Sequence, residues 1–407
     1  MLGNLKAKLD ALARQTPPAG GHAAPPADTA APADTATPCA QGAAATARDC
    51  RMTARLLPLS PEDAARCAAV TGEALWTLNR GQGTWDAYDP ARTVFLDTET
   101  TGLSGGAGTV AFLIGLGTWE EGGFRVEQYF MQDYDVEPDM LGRLCQRLAG
   151  YDTLVTYNGK SYDSPLLQSR SILNRLRPPL DRMAHLDLLH AARRLYKRRL
   201  PACGLRAMEE AVLDLHRVGD IPGGEIPDIF FSYLKDGDDS RLRQVMDHNR
   251  QDILSMALLL GRLCEGLNHP LDLPHAQDRL SYGLLLGETG QAAAAEACLR
   301  SALELPEACL ALAQRYKRAG RYAEALSLWE DLMARGLGGV APYIEAAKYY
   351  EHAGKSPGQA LSIVRALEAR LRRYGLAPDP AVQADLDRRL ARLTRRCTRE
   401  RNQTSCQ

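Results

Sequence analysis

The order of apolar and polar positions predicts an α/β region in the middle of the chain. Runs rich in apolar, β-branched and aromatic residues predict strands over 92–96, 109–119, 124–131, 153–157 and 184–188. Amphipathic stretches predict helices over 137–149, from about 161, near 203–215 and over 240–265. The hairpin signal Glu120-Glu121-Gly122-Gly123 makes the leading strands antiparallel, and helices and strands then alternate. This order predicts a mixed sheet flanked by helices.

Beyond about residue 274 the pattern becomes Ala- and Leu-rich and helical, without strand signals. The segment AGRYAEAL at 319–326 is echoed by AGKSPGQAL at 353–361, and a weaker copy, TGQAAAA, precedes them at 289–295. Gly320 and Gly354 lie 34 residues apart. A helix–turn–helix unit with this period resembles the tetratricopeptide repeat, and an unrelated array of helical hairpins is the alternative.

The N-terminal part of the chain does not have the composition of a folded domain. Leu2, Leu5, Leu9 and Leu12 have the spacing of a short amphipathic helix. From about Thr16 to Asp49 the sequence is dominated by Ala, Pro, Thr, Gly and Asp, which predicts a flexible linker. We therefore divide the chain into an N-terminal helix and linker (1–54), a lead-in segment (55–91), an α/β domain (92–266) and helical repeats (274–400).

Composition excludes several classes of protein. Lys plus Arg number 49 against 50 Asp plus Glu, so the chain is not a polybasic binder and any basic surface is local. The longest apolar runs, such as 110–116, are too short to span a bilayer, and the N-terminus lacks a secretory signal. The ten cysteines are scattered without CxxC spacing, which argues against a zinc site or a disulfide framework. We expect a cytoplasmic, soluble protein.

Three acidic motifs carry the candidate chemistry. Asp97 and Glu99 are two positions apart at the end of a predicted strand, so their carboxylates face the same side and attract a hard divalent cation. Asp163 falls at the start of a helix, after Tyr157-Asn158-Gly159-Lys160. His248 and Asp252 are four apart on one helix face. Taken singly, the motifs also fit solvated acids, a helix cap and a surface polar pair.

Taken together, these motifs resemble the DEDD (DnaQ-like) 3′–5′ exonuclease superfamily, on the ribonuclease H-like fold. Its Asp-x-Glu strand motif is matched by Asp97 and Glu99, its second motif by Asp163, and its last by His248 and Asp252. The phrases DTETTGLSGG, YNGKSYDSPLL and HNRQDILSM, and the stretch from Arg217 through Asp220 to Gly223, look most like the YprB-type ribonuclease H-like domain. The resemblance covers about residues 90–266, and neither the linker nor the helical C-terminus.

The resemblance implies a two-metal phosphodiester hydrolase. Two Mg²⁺ or Mn²⁺ ions, about 3.5–4 Å apart, would be held by the four acids and would stabilise the attacking and leaving oxygens. His248 would accept the proton of the attacking water. The histidine-containing subgroup usually places its base five positions before the aspartate and the tyrosine-containing subgroup four, whereas His248 precedes Asp252 by four. His248 therefore has two interpretations, as the general base or as a structural neighbour of the metal ligands.

A local cluster of basic residues fits a polyanionic substrate. Residues 168–199 hold nine Arg and Lys side chains against two acids, and such clusters bind phosphates without reading sequence. The candidate substrate contacts are Lys160, Arg193, Arg194, Lys197 and Arg198. Asp187, between a strand and a helix, is either a helix cap or a support for the site. A glycine-rich segment lies at 104–108, Ser-Gly-Gly-Ala-Gly, and it lacks the residues of an ATP or NAD site. We expect it instead to let the end of a nucleic-acid strand come near the metals.

We interpret the chain as a metal-dependent nuclease, a 3′–5′ exonuclease on single-stranded DNA or RNA, with repeats that bind a protein partner or guide the substrate. Two alternatives remain open at this point. One is a nucleic-acid-binding adaptor or scaffold that keeps the fold without the reaction. The other is a structure-specific endonuclease, because the fold supports both modes of cleavage.

Overall fold

The computed structural model describes residues 49–102 and 108–404. In these residues six strands form one mixed sheet in the order β1-β4-β3-β2-β5-β6. The strands are β1 (Arg51–Leu57), β2 (Thr93–Thr100), β3 (Ala111–Glu120), β4 (Gly123–Phe130), β5 (Thr153–Thr156) and β6 (Ala184–Asp187). β2, β3 and β4 form the antiparallel meander, and β5 and β6 continue the sheet in parallel with β2. The predicted mixed sheet is confirmed.

The edge strand β1 was not predicted. It pairs antiparallel with β4, with Arg51 opposite Phe130 and Leu57 opposite Phe124. The predicted boundary at residue 54 therefore falls inside a strand. Five of the seven β1 residues are exposed, so the strand lacks the apolar alternation that would mark it in the sequence. Its partner decides its conformation, because β4 offers a free edge of backbone N–H and C=O groups.

Helices cover both faces of the sheet. They are α1 (Pro61–Ala68), α2 (Gly72–Leu78), α3 (Glu137–Leu148), α4 (Asp163–Leu173), α5 (Leu188–Tyr196), α6 (Leu205–Met208), α7 (Ile226–Asp236) and α8 (Leu242–Asn268). The helix predicted near 203–215 is instead the short α6 followed by a π-helical turn over Glu209–Leu213. Alternation along β2 separates two cores: Phe95 packs with α5 and α8, whereas Val94 and Leu96 pack with α3 and α7.

The long helix α8 lies directly on β3. A Cβ atom added at Gly115 would overlap the side chains of Ile253 and Asn249, and one at Gly117 would overlap Ile253 and Phe124. These two glycines therefore permit a close approach of helix and sheet. The approach brings the polar residues of α8 against the carboxyl end of β2.

The C-terminal helical region predicted from the sequence is confirmed. Its helices are α9 (Ala276–Glu288), α10 (Ala292–Arg300), α11 (Pro306–Arg318), α12 (Tyr322–Arg335), α13 (Ala341–His352), α14 (Pro357–Arg373) and α15 (Pro380–Thr404). Gly290 and Gly320 have positive φ in the short turns after α9 and α11, and Lys355 has positive φ after α13. These three turns lie in the three similar segments of the sequence, 289–295, 319–326 and 353–361. Assignment of the helices to the tetratricopeptide class stays a prediction.

The helical region packs on the α/β region through α9. The Tyr196 and Tyr282 hydroxyls lie 3.1 Å apart, and the Arg199 guanidinium donates to Asp278 Oδ2 at 2.8 Å. Asp278 is 2% exposed, so this ion pair is buried. The face of α5 that carries Tyr196 is thus covered by α9.

In the part of the chain that the structure describes, no helix combines the length and the apolar character needed to cross a bilayer. The predicted N-terminal helix and linker, and most of the glycine-rich segment at 104–108, lie outside the described residues.

Candidate active site

Asp97 and Glu99 lie in β2 itself. The two acids were expected at the end of this strand, and the strand extends through both of them to Thr100, with a register shift against β3 between Glu99 and Thr100. Because alternate residues face the same side, both carboxylates share the face of Phe95, which is covered by α8. At this polar end of the strand, Asn249 of α8 donates a hydrogen bond to Asp97.

Asp163 is the first residue of α4 and is 5% exposed. The turn before it begins at Asn158, which has φ of 68°, and a Cβ atom at Gly159 would overlap the side chain of Thr156. The Thr98 hydroxyl donates to Asp163 Oδ1 at 2.5 Å. The motif Asn-Gly therefore provides the tight turn that returns Asp163 to the end of β2.

Asp187 fixes this turn from the neighbouring strand. Its carboxylate accepts from the backbone N–H of Asn158 at 2.8 Å and of Lys160 at 3.1 Å. It also accepts from the Leu189 N–H at 3.0 Å and so caps α5. Asp187 both caps a helix and supports the site.

α8 contributes His248, Asn249 and Asp252. Asn249 is completely buried, donates to Asp97 Oδ2 at 2.9 Å and accepts from Gln128 Nε2 at 2.9 Å. Sequence reasoning missed this residue. The signal that it left in the sequence is an asparagine in line with the apolar positions Val245 and Ile253 of the helix, where a buried amide requires partners.

Arg217 holds three carboxylates together, and its role was also missed. Its side chain is 8% exposed. It donates to Glu209 at 2.5 and 2.7 Å and to Asp220 at 3.1 Å, and it forms an ion pair with Asp252. Glu209 lies in the π-helical turn, is fully buried and accepts from Ser255 of α8. Arg217 thereby connects the segment between α6 and α7 to α8.

The position of His248 is set by Asp220. His248 Nδ1 lies 2.7 Å from Asp220 Oδ1. Partial burial raises the pKa of Asp220, but His248 and Arg217 outweigh it and lower that pKa below its ordinary value. An ionised carboxylate only accepts, so Nδ1 carries the proton. The other ring nitrogen, Nε2, lies 3.7 Å from Asp252 Oδ2.

The four acids repel one another in a buried setting. Burial raises the pKa of Asp97 well above its ordinary value, and the charges of Asp252, Glu99 and Asp163 raise it further. Burial, Asp252 and Asp163 likewise raise the pKa of Glu99. Such a cluster favours a positive charge at its centre.

The other two acids are partly compensated by neighbouring groups. Burial raises the pKa of Asp163 to about 6, although the hydrogen bond from Thr98 opposes the rise. Burial also raises the pKa of Asp252, and Arg217 and His248 offset part of the rise. Among the described residues, no group of three or more His, Cys, Asp or Glu side chains is arranged so that it could hold a metal ion as it is. The acids are instead held singly, Asp97 by Asn249, Asp163 by Thr98 and Asp252 by Arg217.

The structure separates the predicted substrate contacts. Lys160, Arg193, Lys197 and Arg198 are exposed. Arg193 and Lys197 line a cavity that begins at Tyr157 and Asn158. Arg194 does not join them, because its guanidinium donates to the Leu78 carbonyl at 3.0 Å. Its contact is therefore structural, between α5 and the end of α2.

Comparisons with known proteins identify the superfamily of the α/β domain. A family model of the RNase_H superfamily matches residues 94–264. The chain is 33% identical over 286 residues to the uncharacterized protein YprB of Bacillus subtilis (strain 168), and the match covers 68% of this chain and 69% of that protein. A solved family B DNA polymerase from the hyperthermophilic archaeon Pyrobaculum calidifontis matches with a TM-score of 0.34 and 17% identity. That match covers 59% of this chain and 30% of the polymerase, so the chain spans less than a third of its length.

Proposed function

Because the chain belongs to the RNase H superfamily, in the family of the Bacillus protein YprB, we propose that it is a metal-dependent nuclease that hydrolyses phosphodiester bonds. Membership in the superfamily suggests a nuclease, and such nucleases generally use divalent metals. We further propose the mode of a 3′–5′ exonuclease on single-stranded DNA or RNA.

The grouping of Asp97, Glu99, Asp163 and Asp252 carries this proposal. The acids come from β2, α4 and α8, and their charges raise the pKa values of Asp97 and Glu99. Four carboxylates with this mutual repulsion fit Mg²⁺ or Mn²⁺, because hard divalent ions prefer carboxylate oxygens. These residues would hold two ions, which when bound supply charge stabilisation for the attacking and leaving oxygens.

The remaining residues of the site orient the acids and move the proton. Asn249 and Arg217 hold Asp97 and Asp252 in place. His248 Nε2 takes the proton of the attacking water, and the carboxylate of Asp220 stabilises the imidazolium that results. The water oxygen bonds to phosphorus as the bond from phosphorus to the preceding 3′ oxygen breaks, and the departing 3′ oxygen takes a proton from solvent water. The products are a nucleoside 5′-monophosphate and a strand with a new 3′ hydroxyl.

Degradation of 5′-labelled single-stranded DNA and RNA, in Mn²⁺, Mg²⁺ or EDTA, tests the proposal. We expect metal-dependent shortening from the 3′ end that Asp97→Ala abolishes. Asp152→Ala is the control, since this exposed acid pairs with Arg92 at the amino end of β5. Internal cuts would favour the endonuclease. Salt-sensitive binding without cleavage, unaffected by Asp97→Ala, would favour the adaptor.

The helical region is proposed to bind a protein partner or to guide the substrate. Its attachment through α9 holds it in a defined position beside α5, because the buried contacts of Tyr282 and Asp278 leave little freedom at the junction. A guiding role fits this attachment, since α5 and its C-terminal cap also carry Arg193 and Lys197.

A further inference from the structure

A cavity opens beyond the carboxyl ends of β5 and β6. Its volume is about 540 Å³, within the usual range for small-molecule sites. One wall is the start of the turn after β5, with Tyr157 and Asn158, and the opposite wall is the segment 201–205. The same turn leads to Asp163, the first residue of α4, although none of the four acids lines the cavity itself.

Two cations face this cavity from α5 and its C-terminal cap. Arg193 and Lys197 are four positions apart, one helical turn, and therefore lie on the same face. Within residues 49–102 and 108–404, neither side chain forms a hydrogen bond or an ion pair. Burial raises the pKa of the Cys203 thiol at the cavity, and the charges of Arg193 and Lys197 oppose that rise. Two other arginines of the same basic cluster already have partners: Arg194 donates to the Leu78 carbonyl and Arg199 to the Asp278 carboxylate. Tertiary packing thus leaves two positive charges directed at one cavity.

The walls of the cavity are held in place before any ligand binds. The Tyr157 hydroxyl donates to the Cys203 carbonyl at 2.5 Å and so joins the two walls. Asp187 fixes the backbone of Asn158 and Lys160. Since Asp187 also fixes the turn that leads to Asp163, the cavity and the acids have a common support. A preorganised cavity loses little conformational freedom on binding.

We propose that this cavity is a nucleotide subsite, which binds the phosphate of one nucleotide with Arg193 and Lys197 and packs its base against Tyr157. Two neighbouring cations attract a phosphate group, and an aromatic ring can stack on any of the bases. The inference rests on the proposed function for the origin of its ligand, a nucleotide of the bound strand. The released 5′-monophosphate has the same chemistry and is the other source.

Binding is measured first without catalysis. AMP, dAMP and adenosine are titrated calorimetrically into the full-length protein in EDTA. We expect both monophosphates to bind and adenosine to bind about tenfold more weakly, because it lacks the phosphate. The double variant Arg193→Gln/Lys197→Gln should lose about tenfold in AMP affinity. Lys235→Gln/Arg243→Gln removes the same two charge types from exposed positions outside the cavity and should stay within about twofold.

Kinetics with labelled oligonucleotides then identify the source of the ligand. If the subsite holds the strand, the Arg193→Gln/Lys197→Gln variant raises KM about tenfold and leaves kcat nearly unchanged, as expected for uniform binding. If it holds the released product, the variant loses inhibition by AMP with KM unchanged. Equal AMP affinity in the wild type and both double variants would overturn the subsite, whatever the nuclease activity. AMP binding that depends on Arg193 and Lys197, in a protein that cleaves nothing, would uphold the subsite and reject the nuclease.

Discussion

Replacing Arg217 by methionine tests whether one guanidinium holds the acidic site together. Methionine keeps much of the length and apolar stem of arginine but none of its charge. Arg217 contacts Glu209, Asp220 and Asp252, and its side chain is 8% exposed. After the substitution, no other arginine within residues 49–102 and 108–404 donates a hydrogen bond to these carboxylates. Either these carboxylates then become protonated, or the packing of α6 and α7 against α8 is lost.

The size of the effect follows from burial. Removing one partner of a buried ion pair costs about 3–5 kcal/mol, because the other charge is left without compensation. Glu209 is fully buried, and Asp220 and Asp252 are 12% and 18% exposed, so we expect Arg217→Met to fall in this range. Arg206→Met is the matched control. Arg206 is 61% exposed and pairs with Glu210, 49% exposed, so its loss should cost about 0–1 kcal/mol.

Urea unfolding in EDTA, followed by tryptophan fluorescence, measures both variants. We expect the midpoint of Arg217→Met to fall well below that of Arg206→Met, with Arg217→Lys between them, since lysine keeps the charge but not the planar fork. Mn²⁺ should stabilise Arg217→Met more than the wild type, because Asp252, a proposed metal ligand, is also one of the carboxylates that the guanidinium neutralises. Equal midpoints for Arg217→Met and Arg206→Met would refute the reasoning.

Three further predictions concern pH, packing and metal affinity. Burial lowers the pKa of His185 from 6.5 to about 4, so the folded state favours the neutral ring. The resulting contribution to the free energy of unfolding is fully present above pH 6.5 and is lost as the pH falls toward 4. The urea midpoint of the wild type should therefore fall with pH over this range, and that of His185→Gln should lack this part of the pH dependence. Gly115→Ala should lower the free energy of unfolding by about 1–3 kcal/mol, because the added methyl group would overlap side chains of α8. Gly142→Ala is the control: nothing lies within 4 Å of the added methyl group, and the free energy of unfolding should rise by about 0.5–1 kcal/mol. A smaller loss at Gly115 would contradict the close approach of α8 to β3. Asn249→Leu removes the donor to Asp97, and we expect Mn²⁺ affinity, measured by calorimetry, to fall about tenfold or more; unchanged affinity would show that Asp97 does not depend on this contact.

Local spacing was sufficient to predict part of the site. Asp97 and Glu99 are alternate residues of a strand, and His248 and Asp252 are one turn apart on a helix, so each pair shares a face in any fold that keeps the element. The Asn-Gly turn likewise predicted that Asp163 would open a helix. The division into an α/β region and a helical region followed from the period of the apolar pattern.

Long-range partners could not be read from the sequence. Asn249 reaches Asp97 across 152 residues, and Arg217 reaches Asp252 across 35. An arginine or an asparagine in a loop or helix has many compatible partners, and only the approach of α8 to β3 selects among them. The edge strand β1 was missed for the same reason, since its conformation depends on the free edge of β4.

The basic residues of α5 show where the two kinds of information divide. Sequence alone determined that Arg193, Arg194 and Lys197 lie on one helix, with about 100° between neighbours. It did not determine which side of that helix meets solvent. Docking of α9 and α2 covers the side of Tyr196 and Arg194 and leaves Arg193 and Lys197 at the cavity. The sequence thus determined the chemistry present on each element, whereas the tertiary structure decided which groups are neutralised and which remain available, because burial and ion pairing arise only when distant elements pack together.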